Sequence, residues 1–174
     1  MKTKILQSLL IIGFVSISIV SVAQCEIKHR IYPDGSMLYY IEPVNFYWTE
    51  AKSLKGGIVT DRENYFLELQ PLPFPERSEG KKLKSDVTLK LSDGKTYWLK
   101  HFDTHYEEND SIMKMLYLIG REDIELLLNY EVTEAKIDMM GEEGVRTYVF
   151  KLHKSALKEQ LACFLKEEED SEKK

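Results

Sequence analysis

Two imidazoles and a carboxylate fall within five residues at His101, Asp103 and His105, with Glu107, Glu108 and Asp110 just beyond, the donor types that bind zinc or a similar ion. The spacing argues against such a site. Side chains four apart stand next to each other only on a helix, whereas Tyr97 and Leu99 alternate as a strand that carries His101 inward with them. No metal is therefore expected; His101, Asp103 and His105 stand as weak candidates, and Asp103 to Ser111 reads as a solvated acidic loop. His29 and His153 have no ligand-type neighbours at suggestive spacing and receive no role.

Aromatic residues offer more. Tyr39, Tyr40, Phe46, Tyr47 and Trp48 crowd the early chain, and Tyr97 with Trp98 recur later. Alternation sets Trp98 on the face opposite Leu99, where a flat ring could stack on a sugar or on a partner protein. Trp98, Tyr47 and Trp48 are the candidate ligand-binding residues. Packing within or between layers is the competing account, because strands select Tyr and Trp for that reason alone.

Cys25 and Cys163 are the two thiols of the chain. In an oxidising compartment an isolated pair forms a bridge more readily than a catalytic site, and Cys163 lies at the edge of a helical apolar stripe where another segment can reach it. Two free thiols, or acylation of Cys25, are the alternatives. A cysteine nucleophile needs an imidazole and an orienting acid beside it, and nothing brings His153 to that position.

The compartment is suggested by the N-terminus. Lys2 and Lys4 precede an apolar run from Ile5 to Val22, and Ser21-Val22-Ala23 supplies the small residues of a cleavage site before Gln24. Gln7, Gly13 and several serines dilute the run, which argues against a retained anchor. A lipoprotein signal would place a small residue immediately before the acylated cysteine, and here Gln24 precedes Cys25. The Ala-Gln junction ahead of a Tyr-, Lys- and Glu-rich chain resembles exported bacterial proteins of the Bacteroidetes type, a likeness confined to the signal region that implies an envelope address and no activity.

Charge and missing motifs narrow the remainder. The whole chain carries 24 basic and 29 acidic residues, and loss of Lys2 and Lys4 would leave a formal charge of −7. Nucleic acid is therefore not an expected partner. No Gly-rich phosphate loop, G-x-S-x-G elbow, H-E-x-x-H or C-x-x-C occurs, and no cofactor is implied.

The elements that must position these residues follow from turn chemistry and periodicity. Pro33-Asp34-Gly35-Ser36 and Ser92-Asp93-Gly94-Lys95 each reverse a pair of alternating strands, and Gly141 to Gly144 reverses a third. Tyr65, Leu67 and Leu69 alternate with Phe66, Glu68 and Gln70 as a strand buried on one face, followed by an exposed loop from Pro71 to Lys82. Ile112 to Ile119 is apolar on both sides and suits a central strand. Period 3.6 then appears after Gly120, as a short helix to about Asn129, and again after Ser155, where Leu157, Leu161, Phe164 and Leu165 form one stripe. These elements predict an α+β fold: an antiparallel sheet, open or rolled, in hairpin order, covered by a C-terminal amphipathic helix and one short helix. The divisions are a cleavable signal at 1–23, one domain at 24–166 and a disordered acidic tail at 167–174. The expected role is non-enzymatic binding of a protein or glycan by a periplasmic or secreted domain with no stable membrane span. The alternative is a small hydrolase or inhibitor-like domain working from residues 101–110.

Overall fold

Alternating apolar residues roll into one open sheet in the computed structural model, which describes residues 25–32, 35–75, 83–107, 111–139 and 144–173. The strands are β1 (Lys28–Ile31), β2 (Met37–Tyr40), β3 (Val44–Trp48), β4 (Ser53–Thr60), β5 (Tyr65–Leu72), β6 (Val87–Leu91), β7 (Thr96–Glu107), β8 (Ile112–Ile119), β9 (Val132–Asp138) and β10 (Val145–Val149). Helix α1 (Arg121–Asn129) follows β8, and α2 (Ala156–Glu172) follows β10. Every pairing is antiparallel, in the order β1-β2-β4-β5-β8-β7-β6-β9-β10, with β3 beside the first half of β4. This is the expected fold class. The two ends of the sheet nearly meet, since the amides of Lys151 and Leu152 donate to the carbonyl of Phe46 at 3.0 and 3.2 Å, and Phe46 stacks on Phe150 at 4.3 Å.

The inner face carries the core, in which Leu67, Leu69, Leu89, Leu99, Met115, Tyr117, Ile137 and Tyr148 are buried beneath Leu157, Leu161 and Phe164 of α2. The helix also repairs a gap in hydrogen bonding. Strands β2 and β3 pair with different halves of β4, which leaves the Ile58 amide without a strand partner where they diverge. Gln160 fills the gap: its side-chain oxygen accepts from Ile58 N at 2.8 Å and its amide donates to the Glu42 carbonyl at 3.3 Å. A Cβ at Gly57 would stand 2.8 Å from that side chain, and one at Gly56 only 2.3 Å from the Glu68 carbonyl, so β4 needs both glycines. Gln160→Leu therefore leaves a buried amide unpaired and should cost about 1–3 kcal/mol in a denaturant melt. A cost near zero would show that water replaces the side chain.

Several boundaries differ from expectation. Strands β3 and β4 occupy a stretch that carries no clear alternation in the sequence, and β7 continues through Glu107, so Asp103 to Glu107 is strand rather than acidic loop. Helix α2 runs to Glu172, and Glu168 accepts from the Tyr65 hydroxyl at 2.5 Å, so the acidic run expected as a disordered tail forms the last helical turns. Ser155 precedes α2 but makes no side-chain capping bond. The segment expected as a signal, the tip of the first turn at 33–34 and most of the third turn, with residues 76–82 and 108–110, lie outside the described residues.

Candidate functional site

Trp98 stands on the outer face of the rolled sheet. Its neighbour Leu99 is buried, while Trp98 is 69% exposed and no ring or cation among the described residues packs on its indole. Across the sheet Trp98 pairs with Thr88, Thr88 with Lys136 and Lys136 with Thr147, so the ring stands at the end of a row of two hydroxyls and one ammonium, the latter 3.4 Å from Glu134. Trp48 is also exposed, at the end of β3, but β4, β5 and β8 separate its strand from β7. Tyr47 is committed to packing: Tyr148 meets it edge-on at 5.8 Å, and the ammonium groups of Lys52 and Lys151 lie 5.5 and 5.7 Å from its centroid. The three aromatic candidates do not converge.

A register shift between His101 and Asp103 decides the fate of the histidines. Phe102 takes the extra position and points outward against Phe66 at 4.8 Å. His101 stays inside, edge-on to buried Tyr117, with Nε2 2.7 Å from the Thr104 hydroxyl. His105 faces the other side, opposite Lys114, with Nε2 3.4 Å from Asp103. The two imidazoles thus belong to opposite faces of one strand and do not share a ligand.

Near His105 the outer face is roofed by the β1–β2 hairpin, and a cleft of about 750 Å³ opens between them. The hairpin is pinned by Arg30, whose Nη2 donates to Glu68 on β5; Glu68 is 0% exposed and also accepts from Gln70 at 2.8 Å. Glu68 was expected on the solvent side of a half-buried strand, and the hairpin covers that side. Leu38 of the hairpin packs with Val59, Phe66 and Leu116 in a second small core, flanked by Tyr32 and Tyr40. The arginine lies 5.4 Å from the centroids of both Tyr32 and Tyr40, and Tyr32 stacks on His105 at 4.9 Å. A lone carboxylate inside the apolar run Tyr65 to Leu69 was the sequence signal for this buried pair.

The cleft is polar, and its carboxylates are paired. A general acid needs a carboxyl held near the working pH. Glu42 accepts from Lys28 at 2.8 Å, a bond that holds its carboxyl below the ordinary range; Glu107 forms an ion pair with Lys114 at 2.5 Å. Asp123 is the reverse case, raised by burial, but it accepts from the Gly120 amide at the start of α1 and does not line the cleft. Burial pushes the Tyr32 hydroxyl up to about 12 against the opposing pull of Arg30.

Cys25 and Cys163 are joined in a disulfide, their Cα atoms 5.8 Å apart, which ties the first described residue to α2. Among the described residues no helix is long and apolar enough to cross a membrane. Fold and site together define an antiparallel α+β domain with a rolled, open sheet, an exposed tryptophan on its outer face and a polar cleft. Neither a family model nor a curated protein nor a solved structure matches the chain.

Proposed function

We propose that the chain is an exported, non-catalytic domain that holds a glycan by stacking a sugar ring on Trp98. The observation that carries this reading is the indole itself: a large ring 69% exposed on the outer face of β7, beside Thr88 of β6, with no ring or cation packed on it among the described residues. Thr88, Lys136 and Thr147 extend from it as hydrogen-bonding groups suited to sugar hydroxyls, whereas the centre of a protein interface is depleted in charge. The apolar start of the chain and the disulfide support export. A hydrolase working from residues 101–110 has His105 and Glu107 in the cleft in its favour, but Tyr32 covers one and Lys114 neutralises the other.

A glycan array followed by titration tests the proposal. Trp98→Ala should weaken binding at least tenfold, which is about 1.4 kcal/mol, while Trp48→Ala binds as the parent. Stability should discriminate as well, since Trp98→Ala removes a ring already in water whereas Leu99→Ala empties a core position at about 3 kcal/mol. Undiminished glycan binding by Trp98→Ala, or a partner that proves to be a protein alone, would overturn the reading.

A further inference from the structure

We infer that the cleft beneath the β1–β2 hairpin is an anion site that takes the carboxylate or sulfate of an acidic glycan, with Lys55 as its charged anchor. The anion site stands on the geometry of the cleft, while the identity of its ligand as a glycan rests on the reading of Trp98.

A charge inventory singles out Lys55. Arg30 is paired with Glu68, Lys114 with Glu107 at 2.5 Å, and Glu42 with Lys28 at 2.8 Å. These pairs neutralise every other charged wall residue except the imidazole His105, which lies 3.4 Å from Asp103. Lys55 lines the same wall and, among the described residues, forms no ion pair within 4.0 Å, although its charge also acts on Glu42, which Lys28 already holds. An unpaired cation in a concavity focuses its field on whatever enters, and here it does so in a chain of net charge −5.

A carboxylate or sulfate offers only acceptors, which match the three N–H donors of the Lys55 ammonium. Ring stacking contributes little in this place, because His105 covers Tyr32 and the Arg30 guanidinium covers Tyr32 and Tyr40. The cleft is therefore built for charge, as the Trp98 face is built for a sugar ring.

Both features lie along the outer face of β7. Trp98 and His105 are seven residues apart on that strand, roughly 23 Å at 3.3 Å per residue, with exposed Phe102 between them. An oligosaccharide lying along β7 can place an acidic unit in the cleft and a ring on Trp98. The 750 Å³ of the cleft falls within the range of about 300–1,000 Å³ usual for small-ligand sites.

The test is an amide-resolved NMR titration of the disulfide-bonded protein with glucuronate, a sulfated monosaccharide and neutral glucose. At least one charged sugar should shift the amides of Lys55, Gln70 and His105, and the one that does identifies the anion; glucose should not. Its affinity should fall at least tenfold in Lys55→Gln, recover in Lys55→Arg, remain unchanged in Lys158→Gln on the exposed side of α2, and weaken with added salt. If neither charged sugar shifts the cleft, or Lys55→Gln binds as the parent does, the anion site is overturned. Neutral oligosaccharides binding through Trp98 would then leave the glycan reading standing. Charged sugars in the cleft with no glycan dependent on Trp98 would uphold the anion site and overturn its assignment to a glycan.

Discussion

Reduction of the Cys25–Cys163 bridge should remove about 5 kcal/mol of stability and lower the melting temperature by something on the order of 15 °C. The size follows from loop length. The two cysteines are 138 residues apart, so the bridge restricts nearly the whole domain in its unfolded state, where chain entropy is greatest. The native side adds to this, because Cys163 is buried in α2 among the residues that cover the sheet. Paired thermal scans with and without reductant measure the shift, and a Cys25→Ser, Cys163→Ser double variant separates loss of the bridge from other effects of the reductant. Thiol titration of denatured protein should find none before reduction and two after. An unchanged midpoint after complete reduction, or two free thiols in protein taken from its native compartment, would defeat the prediction.

Glu68→Ala should cost about 3–5 kcal/mol, the usual penalty for stripping one partner from a buried ion pair. The carboxylate is 0% exposed and the arginine side chain 19%, so the guanidinium left behind has little water to turn to. The Gln70 amide loses its acceptor in the same substitution. The pair itself contributes far less than the cost of breaking it, since desolvation of both ions offsets most of their attraction. Replacing both, as Arg30→Met with Glu68→Leu, should therefore recover most of the loss. Urea melts of the two single variants and the double variant read the coupling directly. A double variant no better than Glu68→Ala would mean that the hairpin is held by something other than this pair.

The legible parts of the fold were those where one local rule acts alone. Gly35, Gly94 and Gly144 all have positive φ, as their turn positions demand, and the apolar stripe Leu157, Leu161 and Phe164 does face the core. The two-sided apolar run Ile112 to Ile119 is indeed interior to the sheet, between β5 and β7. Strand β4 was not legible because Gly56 and Gly57 lack the side chains that give a strand its pattern. They are glycines because Phe46, the Glu68 carbonyl and Gln160 come too close for a Cβ, a fact of tertiary structure. The second half of β7 was hidden for a related reason: a bulge at Phe102 shifts the phase of alternation, and the polar residues beyond it line a cleft. Trp98 could be placed on the outer face from Leu99 alone. The cleft could not, because it needs Arg30 and Glu68 together, and 38 residues separate them.

The closure of the β2/β3 gap by Gln160 bears on the order in which the chain can fold. Ile58 and Gln160 are 102 residues apart, and the disulfide joins residues still farther apart, so the contacts that complete the early strands are made by the last helix. Such non-local closure makes for slow folding, because the loop entropy is lost before the contacts form. A chain emerging N-terminus first can pair β4 with β5 early, yet it holds the Ile58 amide open until α2 arrives. Until then the incomplete sheet presents an unfinished edge to other chains, and α2 acts as the seal that ends this vulnerable interval.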